Sequence, residues 1–283
     1  MCGIGLLVYN TPNDRLRDLE YLENSLSQSL SRRGPDLSCK QYSPPSVGGD
    51  NGTNITLHAS VLHMRGKVPV AQQVLFPASN PSNYVDGEKN DKYALCWNGE
   101  CYTYATSECN SAGEMTELIS SAATSDNDDN ESDTTLVANL LQQAITTESQ
   151  NMEQQHQAIA NAFSRMHGEY AFILYVPSTT NKKSESQTGI IYFGRDALGR
   201  RSLLVDKSIK GVVAISSVAI EIENTAEERI NLIGWEEISP GIVFRLDIYT
   251  GVESSLPISR IINRNIIDMS ICQPLEQSTT SQV

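Results

Sequence analysis

The second residue of the chain is a cysteine, and its position gives it chemistry that the other thiols lack. With Met1 removed, Cys2 carries a thiol and a free α-amine on one Cα. That pair is a nucleophile with a built-in base, the smallest device able to attack an amide carbonyl. Taken alone, Cys2 reads equally as a small buried hydrophobe opening the apolar run Cys2–Tyr9. The remaining cysteines, Cys39, Cys96, Cys101, Cys109 and Cys272, contain no C-x-x-C pair. No histidine lies at zinc-finger spacing from the Cys96–Cys109 cluster, so they read as reduced and structural. No metal and no cofactor is expected.

A nucleophile at a chain end needs a scaffold, and hydrophobic periodicity outlines one. Cys2–Tyr9 is apolar and bounded by Asn-Thr-Pro, which predicts a buried strand. Leu16, Leu19, Leu22, Leu26 and Leu30 recur at helical spacing, which predicts a helix over Asp14–Leu30 capped by Asn13 or Asp14 and closed by Arg33-Gly34-Pro35-Asp36. Ile55–Met64 and Lys92–Trp97 read as strands. The second of these ends at Asn98-Gly99, the strongest short signal for a hairpin turn. Asp133–Ala144, capped by Asp133, and Met152–Met166 read as helices, with His167-Gly168 ending the latter. Tyr170–Val176, Ile190–Arg195, Ser202–Asp206, Gly211–Ser217 and Ile242–Leu246 read as strands. Asp196–Gly199 is expected to turn a hairpin that braces the sheet, with its charges partnered if buried. Closely spaced strands late in the chain favour antiparallel pairing over repeated βαβ units, so the expected class is a layered α+β domain.

Composition excludes several roles. Hydrophobic residues make up 39% of the 283-residue chain, low for a packed domain, which points to a core diluted by polar inserts at about 120–132 and 177–189. The net charge of -13 argues against a nucleic-acid partner. No run approaches the roughly 18 apolar residues of a membrane helix. The Ile4–Tyr9 run is too short for a signal-peptide core and lacks a basic flank, so a cytoplasmic location is expected.

Several blocks, in order, resemble one known family. They are Met1-Cys2-Gly3-Ile4, Arg32–Asp36, Leu62–Gly66, Trp97-Asn98-Gly99-Glu100, Ser132-Asp133-Thr134, Gly168–Phe172 and Phe193–Leu204. Together they are similar to the class-II glutamine amidotransferase domain of asparagine synthetases. Leu62–Gly66, Trp97–Glu100 and Phe193–Leu204 look most like the asparagine synthetase domain-containing branch. The resemblance covers about Met1 to Leu246. It implies a four-layer αββα sandwich of two antiparallel sheets, of the N-terminal nucleophile hydrolase type. It further implies an amidotransferase domain over 1–250, with 251–283 as a tail or the truncated start of a synthetase-like region. The implied reaction releases ammonia from glutamine.

On that resemblance Cys2 attacks the glutamine carboxamide and forms a γ-glutamyl thioester. Its α-amine, with an unperturbed pKa of about 7.7–8.0, moves the proton. The attack creates an oxyanion that needs fixed donors, supplied by the Asn98 side chain and the Gly99 backbone N–H. Arg65 pairs with the substrate carboxylate through its forked donors, and Glu100 and Asp133 lie near the ammonium. Arg65 as a surface ion pair, Asp133 as only a helix cap and Asn98-Gly99 as only a turn are the bland alternatives. The turn Arg33–Asp36 flanks the site either structurally or in direct contact. His58 and His63 suggest a Cys–His pair, but an N-terminal nucleophile needs none and neither is assigned.

The family's synthetase part carries a Ser-Gly-Gly-x-Asp-Ser phosphate loop, and no such loop occurs in this sequence. Asparagine synthesis by this chain alone is therefore not expected. Two expectations remain: a glutamine-hydrolysing domain serving a synthetase domain in cis or in trans, or a catalytically idle interaction or regulatory module.

Overall fold

The computed structural model describes residues 2–10, 16–43, 53–62, 74–75, 93–104, 133–146, 151–177, 189–220, 234–248, 250–258, 260–262 and 265–267. In chain order the elements are β1 (Gly3–Asn10), α1 (Leu16–Ser31), β2 (Leu37–Ser43), β3 (Thr53–Val61), β4 (Val74–Leu75), β5 (Ala94–Tyr104), α2 (Asp133–Thr146) and α3 (Met152–Ser164). There follow β6 (Met166–Pro177), β7 (Gly189–Arg195), β8 (Leu204–Asp206), β9 (Val212–Ser216), β10 (Glu236–Glu237), β11 (Ile242–Asp247), β12 (Glu253–Pro257), β13 (Arg260–Ile262) and β14 (Asn265–Ile267). The first sheet runs β10-β8-β9-β1-β3-β2, the second β12-β11-β7-β6-β5-β4, and β13 pairs with β14 alone. Every strand-to-strand pairing is antiparallel.

Alternation along the strands sorts the side chains into three apolar layers. Ile4, Leu6 and Val8 of β1 face Ala94 and Cys96 of β5 and Ala171 and Ile173 of β6, filling the space between the sheets. Leu7 points the other way, onto Leu19, Leu22, Leu26 and Leu30 of α1. Trp97, Tyr170 and Phe172 of the second sheet meet Val137 and Leu141 of α2 and Phe163 of α3. Trp97 stacks on Tyr170 at 5.0 Å, and Phe163 on Phe172 at 3.9 Å. The result is the expected αββα sandwich. Strand β6 is buried on both faces, so it reads as an unbroken apolar run rather than an alternating one.

The structure corrects four local expectations. Asn98-Gly99 is not a turn, because β5 runs through it to Tyr104 with a bulge at Cys101/Thr103. His167-Gly168 does not end the helix layer but lies inside β6. Asp196–Gly199 does not close a hairpin, since β7 belongs to the second sheet and β8 to the first. The second sheet also continues past residue 250, because Glu253–Pro257 pairs with β11 and the Ile258 N–H donates to Gly241 O. The helix α3 carries a capping box between Asn151 and Gln154 that its sequence did not advertise. Among the described residues, Cys2, Cys39, Cys96 and Cys101 form no disulfide. No described helix is long and apolar enough to cross a membrane.

A polar cluster lies between α1 and the first sheet. The buried Glu23 carboxylate accepts from Thr56 Oγ1 at 2.6 Å, Lys40 Nζ at 2.7 Å and Tyr9 OH at 3.0 Å. Burial opposes its ionisation, but these donors outweigh it and hold the group below the ordinary carboxylate range. His58 lies beside them, on the α1 side of β3, away from the inter-sheet face that Cys2 adjoins. Burial, reinforced by the Lys40 charge, pushes its pKa down to about 4. An unfolded histidine titrates near 6.5, so between pH 6.5 and 4 the unfolded chain takes up a proton that native His58 refuses. Native stability should therefore fall as pH drops through that window. His156, also depressed by burial, contributes to the same slope. Urea unfolding at pH 7 and pH 5 should show a smaller acid loss in His58→Gln than in the unaltered chain. Equal losses in the two proteins would contradict a neutral buried His58.

Candidate active site

Cys2 sits one residue before β1, half-buried. Continuing the alternation back from Ile4 puts it on the side of β1 that faces the second sheet. The two residues after it are tightly held. Gly3 pairs with Ser60 of β3, and a Cβ at Gly3 would lie 2.5 Å from Ser60 Oγ and 2.9 Å from Leu30 O. Only glycine fits there. Ile4 donates its N–H to Ser217 Oγ at 3.1 Å and accepts from Ser217 N at 2.9 Å.

In the second sheet Asn98 continues the inward series Ala94, Cys96, opposite Ala171 of β6. Its side chain is buried, and Nδ2 has no hydrogen-bond partner among the described residues. A buried amide donor left open carries a desolvation cost unless something else accepts from it. Gly99 lies opposite Tyr170, and a Cβ there would be 2.3 Å from Glu169 O. The need for glycine is therefore close strand approach rather than turn geometry. Glu100 follows, directly across from Glu169.

One connection joins these two sheet ends. The chain leaves β7 at Arg195, beside Ala171, and re-enters the first sheet at β8. On the way Asp196, fully buried, accepts from the N–H groups of Leu198 (2.9 Å), Arg200 (3.0 Å) and Tyr170 (3.2 Å). Its own N–H donates to Tyr170 O at 2.9 Å. Arg195 spreads its guanidinium over Arg201 O, Ile238 O, Gly199 O and the Glu237 carboxylate. Gly199 adopts φ 63°, the left-handed conformation that closes this turn. Ser202 then donates from Oγ to Ser217 O at 2.7 Å, next to Ile4. The Asn98 end of one sheet and the Cys2 end of the other are thus the same end of the sandwich.

Charges ring this end. Glu169 accepts from Tyr102 OH at 2.6 Å and faces Arg201 at 3.5 Å and Arg200 at 3.6 Å. The Tyr102 hydroxyl first, then the two arginines, hold its carboxyl below the usual range. Arg33, at the end of α1, donates to Ser202 Oγ at 3.2 Å. Burial and then the Arg201 charge lower its pKa. Of the residues expected at the site, Cys2, Asn98, Gly99 and Glu100 converge on this end. Asp133 is the first residue of α2, and its side chain lies outside the described residues. Arg65 and His63 also lie outside them. Ser202 and Ser217 were not foreseen in any role, since a serine at a strand end carries no sequence signal of its own.

No family model matches the chain. The chain is 26% identical over 278 residues to the human protein named asparagine synthetase domain-containing protein 1, covering 96% of this chain and 33% of that protein. It is 28% identical over 251 residues to the bovine protein of the same name, covering 88% of this chain and 29% of that protein. The chain thus spans about a third of the length of these relatives. Among solved structures, the glutamine phosphoribosylpyrophosphate amidotransferase of B. subtilis, complexed with ADP and GMP, superimposes with a TM-score of 0.51 at 16% identity, over 93% of this chain and 50% of that one. The chain has this amidotransferase's fold. A structure described as the allosteric regulatory enzyme of purine biosynthesis matches over the same shares, with a TM-score of 0.52 and 16% identity. The expected sandwich is therefore shared with the matched half of these two structures.

The crossing gives a direct stability test. Asp196→Ala would leave three backbone N–H groups without their acceptor. Hydrogen bonds to charged groups are worth about 1.5–3 kcal/mol each and are not additive, so a loss of about 3–5 kcal/mol is expected in urea denaturation. A loss under about 1 kcal/mol would mean that the carboxylate does not hold the connection.

Proposed function

We propose that this chain is a glutamine amidotransferase domain, covering the described fold as far as Ile258, that hydrolyses the side-chain amide of glutamine from Cys2. The observation that carries the reading is the buried, open Asn98 Nδ2 at the sandwich end where the Cys2 lead is pinned. A buried donor without a partner among the described residues at that end suits the oxygen of a tetrahedral intermediate. The fold and the similarity to asparagine synthetase domain-containing proteins support the same reading.

In this mechanism the Cys2 thiol, its proton taken by the α-amine, attacks the carboxamide carbon. The carbonyl oxygen gains charge and is met by Asn98 Nδ2 and the Gly99 N–H. The amine returns the proton to the departing nitrogen, ammonia leaves, and a γ-glutamyl thioester remains on Cys2. Water activated by the same amine then releases glutamate and restores the thiol. Arg65 receives the substrate α-carboxylate, while Glu100 and Asp133 attract the ammonium. The freed ammonia serves an ATP-using synthetase domain, in cis in a longer protein or in trans.

Cys2→Ala should abolish glutamate release from glutamine and leave the melting temperature unchanged. Residual turnover in that variant would remove the thiol from the mechanism. Asn98→Ala should lower kcat by about 10²–10³-fold with little change in KM, the usual cost of one oxyanion donor. Arg65→Ala should instead chiefly raise KM, because its contact is present in ground and transition states alike. If Asn98→Ala altered KM alone, the oxyanion role would be wrong.

A further inference from the structure

The pairing of β1 with β9 is irregular at one point, next to Cys2. The regular register runs from Tyr9↔Val212 to Gly5↔Ser216, which brings Ile4 opposite Ser217. In a hydrogen-bonded antiparallel pair the two residues exchange both backbone bonds. Here only one is made: Ser217 N donates to Ile4 O at 2.9 Å. The return bond goes to the wrong oxygen, because Ile4 N donates to the Ser217 hydroxyl at 3.1 Å. The carbonyl that should have accepted it points elsewhere and takes a bond from Ser202 Oγ at 2.7 Å. Ser202 Oγ in turn accepts from Arg33 Nη1 at 3.2 Å. Ser217 is 1% exposed, so each of these groups would be costly to leave open.

The turn after α1 enters the same brace. The Gly34 backbone presses on β3, where a Cβ would sit 2.4 Å from the Ser60 carbonyl. Asp36 N donates to Val61 O at 3.1 Å. Ser60 Oγ donates to Leu30 O at 2.6 Å, directly under Gly3. The Arg33–Asp36 motif therefore grips the lead of β1 from two sides, through Ser60 at Gly3 and through Ser202 and Ser217 at Ile4.

We infer that Ser217 is a positioning residue for Cys2. Its side-chain hydroxyl stands in for a backbone acceptor exactly one step before the strand frees its terminus, and Ser202 and Arg33 hold the displaced carbonyl. The substitution lets the neighbouring strand end at Ser216 while Ile4 stays fixed. A thiol and an amine on one residue act together only if that residue keeps one orientation, and a displacement of about 1 Å can cost about 10²-fold in rate. The inference rests on the proposed glutaminase reading for its catalytic consequence and on the hydrogen bonds alone for its structural one.

The test compares Ser217→Ala with Ser216→Ala. Ser216 is equally buried and its hydroxyl accepts from Val218 N at 3.2 Å, but it makes no bond to the lead of β1. Ser217→Ala should lower kcat for glutamate release about 10- to 100-fold with KM within about twofold. It should also speed hydrogen exchange at the Ile4 amide by about tenfold or more, as that donor loses its acceptor. Ser216→Ala should lower the melting temperature to a similar degree and change neither readout. Ser202→Ala keeps the Ser217 hydroxyl and unties its carbonyl and the Arg33 guanidinium, so it should shift both readouts in the same direction but less. It replaces Ser217→Ala as the deciding variant should the latter not fold. Unchanged Ile4 exchange would refute the brace, and raised exchange with unaltered kcat would refute the positioning role. An unaltered chain that releases no glutamate would refute the proposed function, and Ile4 exchange would still decide the brace.

Discussion

The geometry of the candidate site depends on the crossing between sheets at residues 196–202, against which the β10–β11 connection packs through Gly241 N and Asp196 O. Residues 196–202 leave the second sheet beside Asn98 and Ala171 and enter the first beside Ile4, with Ala197 buried on the way. Their shape is set by one buried carboxylate and one buried guanidinium. Asp196 collects three backbone donors, and Arg195 reaches carbonyls on both sides of the turn. Neither charge neutralises the other directly; Asp196 is satisfied by backbone N–H groups, and Arg195 by backbone carbonyls together with the Glu237 carboxylate. Such an arrangement fixes distance in a way that the slippable packing of two sheets cannot. The thiol lead on one sheet and the open amide on the other therefore hold one relative position.

The proposed Cys2 nucleophile, one residue before β1, faces an entropic problem that this architecture answers. The first residues of a chain fray unless tied down. Here the tie begins one residue from the thiol, with Gly3 against Ser60 and then Ile4 against Ser217. Cys2 itself stands one residue before the ladder. The cost is a broken backbone pair at Ile4, offset by two serine hydroxyls and an arginine.

Much of the fold is legible in the sequence where one local force dominates. The leucine spacing of α1 and the apolar run of β6 reflect burial on one face and on two, and both elements occur, though β6 starts at Met166, four residues before the expected Tyr170. Strand β2 was missed because it is an edge strand, and Leu37–Ser43 shows no alternation. Asn98-Gly99 misled for a different reason. Its turn propensity is real, but the close approach of β6 requires glycine at that place for a non-local reason. The Asp196–Gly199 turn was legible as a turn, yet its destination in the opposite sheet was not, because no local residue encodes which neighbour β8 will pair with. The site shows the same split. Cys2 stands out by position alone, whereas Asn98 gains meaning only from strand pairing, and Ser217 only from a hydrogen bond spanning 213 residues.

The central claim is that Cys2, at the pinned lead of β1, forms a covalent γ-glutamyl intermediate. Acid quenching during steady turnover of glutamine, followed by peptide mass spectrometry, tests it most directly. The account predicts a γ-glutamyl group on the Cys2 peptide, labile to hydroxylamine, in protein whose first residue is Cys2. Turnover of glutamine with no adduct on Cys2, or with the adduct on another cysteine, would contradict it.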